Sequence, residues 1–158
     1  MNVFLDAAKK LCGFSDIGRL SGKEAVNVVG LNAPAKAHFA AMLCKEFCRQ
    51  GIFITDSDYT AKKIAEDFLF YFPDGAYFYP SKELEFFKAD AKSHELQNKR
   101  LEIIEKLAGG AKNSVTVMSI DAALQFTVDI AAYRESALLV AVGDELLVTE
   151  ISKKLTNM

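Results

Sequence analysis

Four shortages in this 158-residue sequence each exclude a class of protein. No apolar run approaches the ~20 residues that a membrane-spanning helix needs, so no membrane partner is expected. Charge of either sign is not in excess: 19 basic and 21 acidic side chains give a net charge of −2. That balance leaves no electrostatic footprint for strong nucleic-acid binding by this stretch alone. Cysteine and histidine are scarce, with Cys12, Cys44, Cys48, His38 and His94 as the full set. Cys44 and Cys48 stand four apart on one helical pattern, half a metal site at most. No Cys–His cluster completes it, so no metal is expected and the thiols read as buried and free. Free thiols predict a reducing, cytoplasmic setting. Neither histidine has a third group in sequence to make a catalytic set. The first fourteen residues carry an amphipathic helical pattern (Val3, Phe4, Leu5, Ala8, Leu11, Cys12) without the charged start and longer apolar centre of a signal peptide.

What is present is a core. Hydrophobic residues make up 51% of the chain, which argues against disorder, and the length suits one domain. After a polar, glycine-bearing link from Ser15 to Lys23, β and α patterns alternate. Strands are predicted at Ala25–Val29, Ile52–Thr55, Ala76–Tyr79 and Ser114–Ser119. Helices are predicted at Pro34 to about Arg49, with Gly51 as its terminating glycine, about Tyr59–Phe72, about Ser93–Leu107 and Ile120–Phe126. Pro80–Phe87 reads as a turn and a short helix. This alternation predicts an α/β fold, a parallel sheet flanked by helices on both faces, with right-handed crossovers. The C-terminal stretch differs. An apolar strand at Ala137–Val142 and a helix at about Thr149–Leu155 cannot bury both their faces, which suggests the truncated start of a second module and a chain that is a fragment.

The richest motif is Gly30-Leu31-Asn32-Ala33-Pro34-Ala35-Lys36-Ala37. A phosphate-binding loop reads G-x-x-x-x-G-K-[ST] between a strand and a helix, and Gly30 and Lys36 fit it. Ala35 stands where only glycine lets backbone approach phosphate closely. Pro34 removes an N–H from the cradle, and Ala37 has no hydroxyl for Mg²⁺. The loop is therefore vestigial: no cofactor and no catalytic residue are expected from it. Read without the motif, the same residues are a helix start, with Pro34 in the first turn and Asn32 or Ala33 as cap. On either reading Lys36 alone retains an attraction for anions.

Other residues invite chemistry and have simpler readings. Asp121 ends a strand like a magnesium-binding carboxylate, but a cap for Ala122–Phe126 is the better expectation. Glu83, Glu85 and Asp90 lack a positioned nucleophile and read as surface charge. The aromatic-dense stretch from Phe68 to Phe87 offers rings for base stacking, though few basic residues interleave and packing is favoured. Arg100 either pairs with a carboxylate in the fold or reaches phosphate.

Six pieces in order carry a resemblance: the loop at 30–37; Phe72-Pro73-Asp74; Tyr79-Pro80-Ser81-Lys82-Glu83; Asn98-Lys99-Arg100-Leu101; Val115–Ile120 leading into Asp121-Ala122-Ala123-Leu124-Gln125; and Val142-Gly143-Asp144-Glu145-Leu146. Over about residues 20–158 the chain resembles the N-terminal, UvrB-like region of the bacterial transcription-repair coupling factors (Mfd). The resemblance implies a P-loop, helicase-like fold whose nucleotide loop works in UvrB and is degenerate in the coupling factors. Ala35 and Ala37 favour the second branch, as does a stretch from Tyr79 to Ser93 too short for UvrB's aromatic hairpin. It divides the chain into an N-terminal helix and link (1–20), a degenerate P-loop domain (21–135) and the start of a UvrA-binding-like module (136–158). The function implied is a non-catalytic scaffold in transcription-coupled nucleotide-excision repair that supports recruitment of UvrA. Its partners would be the rest of the same polypeptide and UvrA through the adjoining module, with RNA polymerase and DNA engaged by other domains. The alternatives are a nucleotide-binding ATPase domain of the UvrB or helicase type, and an α/β domain for a small ligand unrelated to repair.

Overall fold

A computed structural model describes residues 3–10, 13–20, 25–82, 95–110, 112–125, 129, 131–132, 135 and 148–156. The chain divides into two compact units, Met1–Gln125 and Phe126–Met158.

The first unit is built on a parallel sheet. Strands β1 (Gly51–Thr55), β2 (Ala76–Tyr79) and β3 (Val115–Ser119) are ordered β1-β3-β2, with β3 central. Phe53 and Phe78 both stand opposite Val117, and Gly51 and Ala76 opposite Val115. Because successive side chains alternate, this register puts Phe53, Val115, Val117, Ala76 and Phe78 on one face. Two helices supply the layer over that face, α3 (Ala33–Glu46) and α4 (Asp58–Leu69). α4 contributes Ala61, Ala65 and Phe68, the last wholly buried and edge-on to Phe53 at 5.5 Å. Burying a ring of that size stabilises the fold by roughly 2–3 kcal/mol. The opposite face carries Tyr77, Tyr79 and Met118, and α5 (Glu95–Ala108) covers it with Ile103, Ile104 and Leu107. The expected parallel sheet with helices on both faces is thus present. The central strand, Val-Thr-Val-Met-Ser, is buried at all five positions, as a strand covered on both faces should be.

Caps set the helix starts. Ser57 opens α4, its hydroxyl accepting from Thr60 N at 3.3 Å. Ser119 opens α6 (Ile120–Leu124), accepting from Ala122 N at 3.1 Å. Asp121 is therefore not the cap. It lies inside the first turn, because the strand's last serine already sits at the capping position.

Three further expectations are corrected. Residues 25–29 are not a strand. They are irregular and exposed, with Val29 79% accessible, and among the described residues no strand lies beside them. β-propensity alone cannot make a strand without a partner edge. The link from Ser15 to Lys23 is in part a helix, α2 (Phe14–Leu20), which follows α1 (Val3–Lys9) across Gly13 at φ 81°. Ala8 and Phe14 are buried against α3, Phe14 meeting Phe39 edge-on at 5.5 Å. Gly51 does not end α3. Cys48 takes the left-handed turn after the helix at φ 49°, and Gly51 begins β1. Its glycine identity serves close packing, since a Cβ there would stand 2.6 Å from Cys44 Sγ.

Of the second unit, the structure describes α7 (Val148–Thr156), where a helix is expected. The strand expected at 137–142 lies outside the described residues. No described helix is long and apolar enough to cross a membrane.

Candidate functional site

The loop before α3 is a capped helix start. Gly30 turns at φ 83°, Asn32 is extended, and Pro34 falls in the first turn. Asn32 Oδ1 accepts from Ala35 N at 3.0 Å, and Lys36 N donates to Asn32 O at 3.0 Å. Those N–H groups are the donors that a phosphate cradle would turn toward its ligand. Here they are satisfied within the chain. Ala37, at the position of the magnesium-binding hydroxyl, is 1% exposed and belongs to the core. Lys36 is exposed. The five positions expected to be vestigial, Gly30, Pro34, Ala35, Lys36 and Ala37, therefore split between a solvent-facing turn and the packed base of a helix.

A denser polar constellation lies at the C-terminal ends of the strands, where open parallel sheets place ligands. Its centre is Asp58, in the first turn of α4. Asp58 Oδ2 accepts from Ser81 N at 2.9 Å and from Ser81 Oγ at 2.6 Å, and Oδ1 accepts from Ser119 Oγ. One carboxylate thus ties together the segments that follow β1, β2 and β3. Burial works against its charge, but the hydrogen bonds from Ser119 and Ser81 and the field of Arg100 outweigh it, so Asp58 titrates below the ordinary aspartate value.

Arg100 of α5 stands beside this group. It is 4% exposed, lies 4.2 Å over the ring of Tyr79, and donates through Nη1 to Pro80 O and to Gln125 Oε1, the latter at 3.3 Å. Gln125 Oε1 also accepts from Lys82 N at 2.6 Å. Arg100 makes no ion pair among the described residues, and its Nη2 and the buried Tyr79 hydroxyl have no hydrogen-bond partner. Its guanidinium clamps the backbone after β2 and lends its positive field to Asp58. Burial raises the Tyr79 phenol, although Arg100 pulls the other way.

The clamp escapes sequence reading because its members lie 23 and 61 residues from Asp58. Asp58 is legible only as a helix-start residue, and Ser81 and Ser119 as ordinary turn and strand-end residues. Among the described residues no histidine joins these serines. His38 is elsewhere, its Nδ1 within 3.3 Å of Tyr71 Oη. Cys44 is half-buried, which pushes its thiol up, whereas Cys48 is exposed, contrary to the expected burial. Among the described residues no three metal-ligating side chains cluster. Glu83, Glu85, Asp90 and His94 lie outside the described residues.

No family model matches the chain. Curated relatives do. The transcription-repair-coupling factor of Staphylococcus epidermidis (strain RP62A) is 25% identical over 146 residues, covering 92% of this chain and 12% of that protein. The protein of the same name from Staphylococcus haemolyticus is 24% identical over equal shares. That of Bacillus subtilis (strain 168) is 24% identical over 132 residues, 83% of this chain and 11% of its own length. The chain is similar to transcription-repair-coupling factors. It spans about an eighth of the length of those relatives.

Proposed function

We propose that this chain is a non-catalytic scaffold region of a transcription-repair coupling factor, acting in transcription-coupled nucleotide-excision repair and supporting recruitment of UvrA. The observation that carries this reading is the similarity to proteins of that name over 92% of the chain. The helix-start geometry supports the non-catalytic part. Ala35 N is spent on Asn32, and Ala37 is packed in the core, so neither group is offered to a nucleotide. On this reading residues 21–135 are a degenerate P-loop, helicase-like domain, and residues 136–158 open a UvrA-binding-like module. The partners are then the remainder of a longer polypeptide and UvrA, with RNA polymerase and DNA held by other domains.

Isothermal titration with Mg·ATP tests the non-catalytic part. The expected result is no saturable heat, and micromolar affinity overturns it in favour of a UvrB-type ATPase. The natural reading frame tests the rest. A frame that continues into an intact helicase motor supports the assignment, and a frame that stops at Met158 defeats it.

A further inference from the structure

We propose that a recess at the N-terminal ends of the strands binds a nucleotide unit, holding a planar base against tyrosine and a phosphate between lysines. The recess measures about 440 Å³ and lies between the end of α3, the turn from α4 to β2, and the turn into β3. It is remote from the vestigial loop: Lys45 and Asn32 are thirteen residues apart along one helix, ~20 Å.

Three observations build the site. The first is charge. Lys45 and Lys112 stand on different walls, and Lys106 lies 4.7 Å over the ring of Tyr77. The carboxylates are Asp74, in the lining, Asp67 near Tyr71, and Glu102 and Glu105 near Lys106, Glu102 ion-paired to it at 2.5 Å. Within the lining itself two lysines face one carboxylate, in a chain that is acidic overall. The second is aromatic surface. Tyr71 and Tyr77 line the recess half-buried, whereas Phe68 and Phe72 of the same aromatic-dense stretch are consumed by the core. The third is preorganisation. Lys45 is held 5.1 Å over the ring of Phe72. Val115 N donates to Gly75 O and Gly51 N to Ser114 O, each at 2.8 Å. Asn113 adopts φ 57°, and its carbonyl passes so close to Gly75 that a Cβ there would be 3.0 Å away. The two turns forming the mouth are thus locked to each other before any ligand arrives.

A planar ring carrying a phosphate matches this pairing. Stacking uses the tyrosine faces, and the lysines take the negative charge. An acidic peptide would use the lysines and leave the rings idle.

Titration of the ¹⁵N-labelled chain with a twelve-residue oligothymidylate, with thymidine monophosphate and with inorganic phosphate tests the proposal. The amides of Gly75, Lys112, Asn113 and Ser114 should shift with both nucleotides. Tyrosine emission, read directly because the chain has no tryptophan, should fall. Tighter binding of the oligomer assigns the site to single strands, and equal binding assigns it to free nucleotide. Inorganic phosphate should bind about tenfold more weakly, for want of stacking. Lys112→Glu, in an exposed turn, should weaken nucleotide binding about tenfold and lower the salt dependence by about one unit while the melting temperature stays put. Lys45→Gln should act in the same direction. Absence of shifts at these amides, equal affinity for phosphate alone, an unchanged Lys112→Glu, or tighter binding of a glutamate-rich peptide overturns the proposal. Nucleotide at the loop before α3 would move Gly30 to Lys36 instead, so this result and the ATP titration are read separately.

Discussion

The two ends of the sheet are built on opposite plans. At the C-terminal ends of the strands, Asp58, Ser81, Ser119, Arg100, Pro80 and Gln125 hydrogen-bond to one another, with Arg100 Nη2 left buried and without a partner among the described residues. At the N-terminal ends, two turns are bonded backbone to backbone, and Lys45, Lys112, Tyr71 and Tyr77 face a recess. Open parallel sheets ordinarily bind ligands at the C-terminal rim, because the crossover connections leave a crevice there. In this chain that rim is closed by a carboxylate clamp. The difference is one of use: the rim where other parallel sheets leave a crevice is here the place where three strand ends are fastened.

The strongest way to break the contrast is to cut the clamp. Asp58→Ala leaves Ser81 and Ser119 without their acceptor and should cost about 3 kcal/mol, read as a fall in the urea midpoint. A loss below about 1 kcal/mol would mean that solvent replaces the carboxylate easily and the rim is not closed. The clamp also has a pH signature. Asp58 in the fold titrates below its unfolded value of about 3.9, so its contribution is complete above that value and is lost as pH falls through the depressed folded pKa. The stability gap between the native chain and Asp58→Asn should therefore narrow as pH is lowered from 6 to 3. A gap that stays constant or widens contradicts the charge-based clamp.

The opposite rim is tested by Gly51→Ala. A Cβ at this position meets Cys44 Sγ at 2.6 Å, which predicts a loss of about 1–2 kcal/mol from overpacking. The double variant Gly51→Ala, Cys44→Ala should recover most of that loss. Additive losses would show that the clash lies elsewhere.

How much of this the sequence discloses depends on the range of the interactions involved. β2 matches its expected limits, Ala76–Tyr79, and β3 and α5 match to within two residues, because Gly75, Pro73 and Gly109-Gly110 punctuate them locally. Ser57 and Asn32 are likewise legible as caps, since a cap and its donor are three residues apart. Ala25–Val29 is misread because strand propensity says nothing about an available partner edge. Gly51 is misread because its constraint comes from Cys44 through space, not from the helix end. The Asp58 clamp is invisible because its serines look like any others until the crossovers bring three strand ends together. The stretch from Gly30 to Ala37 is the mixed case. The missing groups are plain in Pro34, Ala35 and Ala37, but the burial of Ala37 needs α1 and α2 folded against α3.

A smaller effect belongs to that loop. Asn32→Ala removes the acceptor for Ala35 N and should cost about 1 kcal/mol, measured by thermal melting. It also tests whether the freed N–H groups regain a taste for phosphate. If Asn32 has merely taken over a donor left idle by the lost glycine and hydroxyl, Asn32→Ala destabilises α3 and still shows no heat with Mg·ATP. Recovery of nucleotide binding would mean the cap, not Pro34 and Ala35, silences the loop.

The smallest expected change in stability is the one that sharpens the comparison most. Lys112→Glu alters an exposed side chain in the turn before β3, and its stability should move by less than about 0.5 kcal/mol. Set beside Asp58→Ala, it separates the two rims by kind of loss. A group that fastens strand ends is felt in the urea midpoint, whereas a group that faces a recess is felt in the salt dependence of ligand binding. If Lys112→Glu instead unfolds the chain as readily as Asp58→Ala, Lys112 is a structural cation of the turn. The N-terminal rim would then be as closed as the other, and the contrast between the two ends would fail.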